Sequence, residues 1–156
     1  MERTYETPAW LKAAEVKLVY KTTVKASERP TVKSSKHAYD IFLQHWDPGM
    51  LELCEQFKVM FLNRGNKVLG IFELATGGIS TVVADPKLIF SAALKANACN
   101  ILICHSHPSG ALKPSTPDIE LTKKLVAAGK FLDLNVLDHL IITTENYYSF
   151  ADEGLL

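Results

Sequence analysis

The 156-residue sequence predicts one α/β (α+β) domain, a three-layer sandwich in which helices cover both faces of a mixed sheet. Apolar segments of strand length alternate along the chain with amphipathic segments of helical length. The run NILIC at 100–104 is continuously apolar, which is typical of a central strand buried on both faces. The length also fits a single domain, since domains most often have about 100–150 residues.

The first half of the chain predicts an arm, an edge strand, a helix and a hairpin. The expected ranges are 1–12 for the arm, 15–24 for the edge strand, about 37–45 for the helix, and 57–62 and 67–74 for the hairpin strands. Alternating polar and apolar residues indicate the edge strand, and Ser34 or Ser35 is the expected helix cap. The sequence NRGN at 63–66 supplies the hairpin turn. A break at 47–49 precedes a short helical turn expected within 50–56.

The second half predicts two capped helices that alternate with strands. The expected ranges are 85–97 for the first helix, 100–104 for the central strand, 115–131 for the second helix, and 134–144 and 147–150 for the last strands. Asp85 followed by Pro86 is a cap with proline at the first helical position. Ser115 or Thr116 is expected to cap the second helix. We expect residues 1–33 to form an arm with the edge strand, and 34–156 to form the main domain.

Composition excludes few functions but limits the partners. Lysine plus arginine and aspartate plus glutamate both number 17, so the net charge is zero and charge gives no support for nucleic-acid binding. The first residues are too charged for a signal peptide, and no apolar run is long enough to span a membrane. Three cysteines without a CxxC pair, all in apolar company, are expected to be buried and reduced. We therefore expect a cytoplasmic protein.

The segment HSHPSGALKPSTPD at 105–118 carries the candidate chemistry. Strand side chains alternate between faces, so His105 and His107 should point the same way and Ser106 the opposite way. Asp118 lies in the first turn of the next helix, close enough to bring a carboxylate to the same point. Two imidazoles and one carboxylate with an open fourth position are typical of a catalytic Zn²⁺ site. Zinc lowers the pKa of its water to about 7, but a base and an oxyanion donor are still needed.

The same segment resembles the JAMM motif of JAB1/MPN-type metalloproteases, which reads H-x-H-P, six residues, S-x-x-D. The fixed positions of that motif are matched by His105, His107, Pro108, Ser115 and Asp118. Neighbouring sequences, including FLNRGNKVLG and LDHLII, resemble the RadC-like bacterial branch over about residues 34–150. The resemblance implies a JAB1/MPN-like fold, cytidine-deaminase-like in outline. In a sequence of 156 residues we do not expect the amino-terminal helix-hairpin-helix region of longer relatives.

The resemblance also implies roles for individual residues. An upstream glutamate activates the water in the JAMM family, and CEQFKVMF makes Glu55 the candidate, with Glu52 and Glu73 as alternatives. The Ser115 hydroxyl is implied to stabilise the oxyanion or to orient the water, although a serine there is equally expected as a helix cap. His139, in LDHLII, is expected to be an interior histidine or a partner of a ligand, not a ligand itself.

The three-ligand site predicts a zinc-dependent hydrolase, and the resemblance implies a metallopeptidase or isopeptidase acting on a peptide or protein. The alternative is a non-catalytic metal-binding RadC-like module associated with DNA repair or mobile elements. A nucleoside deaminase is disfavoured because its HxE and PCxxC ligands are missing, and a phosphoesterase because further carboxylates are missing. Substrate choice stays open because Ser106 and the loop ATGGIST depart from the usual RadC-like pattern. The oligomeric state also stays open, with the arm that carries Trp10 and the edge strand as the candidate surface for pairing with a second copy.

Overall fold

The structure is a computed structural model that describes residues 22–78 and 82–156. The described residues form four helices and five strands. The helices are α1 (Ser35–Gln44), α2 (Pro48–Leu51), α3 (Pro86–Lys95) and α4 (Thr116–Phe131), and the strands are β1 (Gln56–Leu62), β2 (Val68–Thr76), β3 (Asn100–Ser106), β4 (Asn135–Ile142) and β5 (Tyr147–Ser149). The predicted hairpin, both capped helices and the late strands are therefore present in the predicted order.

The five strands form one mixed sheet in the order β2-β1-β3-β4-β5. Only β3 and β4 run parallel among the described strands, and α4 makes the connection between them. All seven residues of β3 are buried, so the prediction of a central strand is confirmed. The strand continues two residues beyond the predicted 100–104, through Ser106. As a result His105 lies within the rigid sheet and not in the loop that follows it.

Helices cover both faces of the sheet, which confirms the three-layer arrangement. The core on one face holds α1 against the sheet, through Ala38, Tyr39, Ile41, Phe42, Met60, Leu102, Cys104 and Leu140. The core on the other face holds α3 and α4, through Phe57, Val59, Ile89, Phe90, Ala93, Ile101, Ile103 and Leu125. Consecutive residues of β3 alternate between the two cores, as strand geometry requires. The same alternation decides which face His105 occupies.

The segments before and after α1 differ in part from the prediction. Of the predicted edge strand at 15–24, residues 15–21 lie outside the described residues, and 22–24 are not in a strand. The residues at 30–32 instead pair with the hairpin, through a bridge between Thr31 and Lys67. Helix α2 begins at Pro48, earlier than the turn expected within 50–56, because the Asp47 side chain accepts a hydrogen bond from the Gly49 backbone.

Cys54 and Cys104 are buried as expected, whereas Cys99 is exposed because it lies in the turn that enters β3. No helix within the described ranges is long and apolar enough to cross a membrane.

Gly129 fixes the approach of α4 to the start of β4 and supplies a test of the fold. A Cβ atom at this position would lie 2.3 Å from the carbonyl oxygen of Leu134. We expect Gly129→Ala to lower the free energy of unfolding by about 1–3 kcal/mol, because the backbone must shift. This loss would occur although alanine favours helix over glycine by about 1 kcal/mol.

Urea unfolding of the parent and of the Gly129→Ala protein measures the change in the free energy of unfolding. Gly70→Ala is the control, since no atom lies within 4 Å of a Cβ added there. Equal stability of the Gly129→Ala protein and the parent would contradict the close packing of α4 on Leu134.

Candidate metal centre

The candidate site lies where β3 ends and α4 begins. His105 belongs to β3 and pairs with Phe57 of β1 on one side and with Ile141 of β4 on the other. Ser106 points to the opposite face, where its hydroxyl accepts a hydrogen bond from the Gln56 backbone at 3.0 Å and donates to the Cys54 carbonyl at 3.3 Å. The predicted alternation of the histidines with Ser106 is therefore observed.

The structure brings the three predicted ligands together. His105 Nε2 lies 3.0 Å from His107 Nε2 and 3.4 Å from Asp118 Oδ1, and His107 Nε2 lies 3.9 Å from Asp118 Oδ2. One candidate ligand atom from each residue falls within 4.8 Å of the others. Tetrahedral zinc with bonds of about 2.0–2.1 Å separates its ligand atoms by about 3.3 Å. Two imidazoles and a carboxylate at these distances fit a zinc ion.

His107 is oriented by the loop that follows it. Its Nδ1 atom lies 2.6 Å from the carbonyl oxygen of Ala111. A carbonyl oxygen only accepts hydrogen bonds, so Nδ1 must carry the proton. The neutral ring then has its lone pair on Nε2, the atom that faces His105. The loop therefore selects the tautomer of His107 that can bind a metal ion.

Asp118 is oriented by Ser115 through a capping box at the start of α4. Its Oδ2 atom accepts hydrogen bonds from the Ser115 backbone nitrogen at 2.7 Å and from the Ser115 hydroxyl at 2.6 Å. The Ser115 Oγ atom accepts in turn from the Asp118 backbone at 3.3 Å. Ser115 is thus the cap of the helix, and it turns the other carboxylate oxygen, Oδ1, toward His105. The role that the resemblance implies for the Ser115 hydroxyl, stabilising an oxyanion, stays a prediction.

Burial keeps the two inner histidines neutral. Burial lowers the pKa of His105 to about 4, with His107 acting in the same direction and Asp118 against it. Burial likewise lowers the pKa of His139 well below its ordinary value, and the neighbouring His105 and His107 add to this effect. A metal-binding imidazole must be unprotonated on the nitrogen that binds. His105 therefore meets that requirement at neutral pH.

Of the three candidate bases, Glu55 and Glu52 border the cleft around the histidines and Glu73 does not. Glu55 directly precedes β1, and its backbone is held by bonds to Gly78 at 3.0 Å and from Gly77 at 2.8 Å. Burial raises the pKa of Glu55, and Asp118 adds to this, whereas His107 and a hydrogen bond from the Val82 backbone oppose it.

The two alternatives to Glu55 have other partners. Glu52 is exposed and accepts a hydrogen bond from Thr144 at 3.2 Å. Glu73 lies on the opposite face of the sheet, where its carboxylate is 3.2 Å from the Lys58 ammonium group. Only Glu55 combines a half-buried carboxyl group with a fixed backbone beside the histidines.

A cleft of about 850 Å³ opens over these groups. It is lined by apolar and polar side chains from four segments, including Phe57, Val82, Val83, Ala84, His105, His107, Lys113, Ser115, Asp118 and Leu121. The three predicted ligands and Glu55 therefore border one open cleft.

His139 is an interior histidine, as the sequence predicts, whereas its partner Thr122 is not among the predicted site residues. His139 is fully buried on β4, with Nε2 at 2.8 Å from His105 Nδ1 and Nδ1 at 2.6 Å from Thr122 Oγ1. The Thr122 hydroxyl is also 2.6 Å from the carbonyl oxygen of Asp118. The spacing of four residues places Thr122 on the same helix face as Asp118, but nothing in the sequence indicates its contact with His139.

Comparison with known proteins agrees with the motif. The model of the RadC-like JAB domain family matches residues 32–155. A UPF0758 protein of Flavobacterium johnsoniae is 46% identical over 125 residues, which cover 80% of this chain and 53% of that protein. A UPF0758 protein of Porphyromonas gingivalis is 42% identical over 130 residues, covering 82% and 56%. This chain spans about half the length of these curated relatives. It therefore belongs to the RadC-like JAB domain family.

Proposed function

We propose that this chain is a zinc-dependent hydrolase of peptide or isopeptide bonds. The observation that carries the proposal is the convergence of two imidazole nitrogens and one carboxylate oxygen within 4.8 Å of one another beside an open cleft. Family membership supports it, because JAB domains often bind zinc and include metalloproteases. His105, His107 and Asp118 would hold the ion.

Glu55 is the proposed general base. Zinc, when bound, would polarise the substrate carbonyl and lower the pKa of a water molecule to about 7. The Glu55 carboxylate takes the proton of the attacking water and returns it to the leaving amine. A raised pKa makes a carboxylate a stronger proton acceptor, and burial raises that of Glu55. Two backbone hydrogen bonds fix the main chain of Glu55 at the edge of the cleft that His105 and His107 also line.

Ser115 is proposed to serve the oxyanion as well as the helix. Its hydroxyl donates to Asp118 Oδ2, but its backbone nitrogen donates to the same oxygen at 2.7 Å. The hydroxyl can therefore turn to a developing oxyanion while the carboxylate keeps one hydrogen bond. This arrangement supports both roles of Ser115 without leaving a charged group unpartnered.

A peptide or protein is the proposed substrate. The cleft combines apolar side chains such as Val82, Val83 and Leu121 with polar groups near the metal ligands. The balanced total of 17 basic and 17 acidic residues gives no support for a nucleic-acid substrate.

The metal assignment predicts about one zinc ion per chain in the purified protein. We expect His107→Ala to lose that ion, because two remaining ligands cannot hold zinc tightly. Elemental analysis after gel filtration measures the content. His37→Ala is the matched control, since His37 lies on α1, away from the cluster. Full zinc content in the His107→Ala protein would contradict the ligand assignment.

The base assignment predicts that Glu55→Gln keeps its zinc but hydrolyses peptides about 10²–10⁴-fold more slowly. A peptide library and zinc analysis on the same sample measure both properties. Glu52→Gln is the parallel variant and should retain most of the activity. Loss of activity in Glu52→Gln alone would move the role to Glu52. Zinc binding without hydrolysis by any form would favour the non-catalytic module.

A further inference from the structure

His139 connects the metal centre to helix α4 through an unbroken run of hydrogen bonds. The run passes from His105 Nδ1 to His139 Nε2 over 2.8 Å, and from His139 Nδ1 to Thr122 Oγ1 over 2.6 Å. It ends where the Thr122 hydroxyl donates to the Asp118 carbonyl oxygen at 2.6 Å. We call His139 and Thr122 together the relay.

Aromatic packing fixes the ring of His139 in this position. The ring stacks on Phe150, with centroids 4.6 Å apart and planes 15° from parallel. Phe57 lies on another side, with its ring centroid at 5.8 Å. The side chain is fully buried, so rotation would break both hydrogen bonds without water to replace them. The relay therefore has one arrangement of heavy atoms.

The end of the run determines the position of every proton. The carbonyl oxygen of Asp118 only accepts, so the single proton of the Thr122 hydroxyl is directed at it. Thr122 Oγ1 must then accept from His139, which places the proton of that ring on Nδ1. A neutral ring protonated on Nδ1 has a lone pair on Nε2. His139 Nε2 therefore accepts a hydrogen bond from His105 Nδ1.

The same reasoning fixes the tautomer of His105. A neutral His105 that carries its proton on Nδ1 has its lone pair on Nε2. That nitrogen is 3.0 Å from His107 Nε2 and 3.4 Å from Asp118 Oδ1. The proton order that satisfies every group of the relay is thus the one that makes His105 competent to bind a metal ion.

We propose that His139 and Thr122 are positioning residues that hold His105 in its metal-binding tautomer and thereby set the zinc affinity of the site. The proposal rests on the metal site proposed above. Metal-ligating histidines commonly donate their second N–H group to a carboxylate or a carbonyl oxygen, and loss of such a partner typically costs about 10–100-fold in metal affinity. Here a neutral imidazole accepts instead, so the ring is oriented without adding negative charge near the ion.

The relay also couples two ligands of the same ion. The carboxylate of Asp118 is a candidate ligand, and its backbone carbonyl receives the last proton of the relay. A displacement of the first turn of α4 would therefore disturb Asp118 and His105 together. This coupling explains why Thr122, whose buried hydroxyl makes two hydrogen bonds, lies on the sheet-facing side of α4.

Thr122→Val tests the relay with little change of shape. Valine keeps the volume but leaves the Nδ1 proton of His139 without an acceptor. We expect the dissociation constant for zinc to rise about 10–100-fold at neutral pH, measured by competition with a chelator. Thr122→Ser restores the hydroxyl and should return the affinity to near that of the parent protein.

Thr143→Val controls for the loss of a buried hydroxyl. Thr143 is also buried, and its hydroxyl donates to the Asn146 carbonyl at 3.0 Å, outside the relay. We expect this variant to lose stability without losing zinc affinity, with urea unfolding of the metal-free proteins measured in parallel. Unchanged zinc affinity in Thr122→Val, or an equal loss in Thr143→Val, would overturn the relay.

Nitrogen-15 spectra of the parent histidines give a test that needs no variant to fold. In the zinc-loaded protein both His105 and His139 should be protonated on Nδ1. A proton on His139 Nε2 would overturn the proposal. Zinc binding by the parent with unchanged affinity in Thr122→Val removes only the relay, whereas no zinc binding by the parent removes the proposed metal site as well.

Discussion

The structure depends on the junction between a buried central strand and the helix that follows it. Strand β3 is covered on both faces, so polar groups at its end are shielded from water. Burying them costs free energy unless other groups of the chain form hydrogen bonds with them. The parallel connection through α4 brings a helix amino terminus to that same edge of the sheet. Polar groups of strand and helix therefore meet in a small volume, where each must be hydrogen-bonded. The candidate metal centre and its buried histidine pair both follow from this requirement.

Ser115 illustrates how one local motif serves both folding and the site. A capping box normally completes the hydrogen bonds of a helix start, which stabilises the fold by about 1 kcal/mol. In this chain the acid of the box is Asp118, whose second oxygen faces His105. The fixed geometry of the cap thus becomes the fixed geometry of a candidate ligand. No separate loop is needed to position the carboxylate.

Local signals account for what the sequence could predict. Alternation along β3 placed His105 and His107 on one face, and the Asp85–Pro86 and Ser115 caps located two helices within one or two residues. Features set by distant contacts were not predictable in this way. The pairing of 30–32 with the hairpin, the exposure of Cys99 and the contact of Thr122 with His139 all depend on which segments the fold brings together. The residue type at helix position 122 does not indicate which residue of the sheet it will contact.

The bond between His107 and Ala111 has a consequence for how quickly a cation could enter or leave. Because His107 Nδ1 is hydrogen-bonded to the Ala111 carbonyl oxygen at 2.6 Å, the turn between these residues is already ordered when the chain folds. We therefore expect an ion to bind His107 by displacing solvent, without having to order this turn. At such a preorganised centre we expect the width of the opening, and not a movement of the chain, to limit how quickly an ion exchanges.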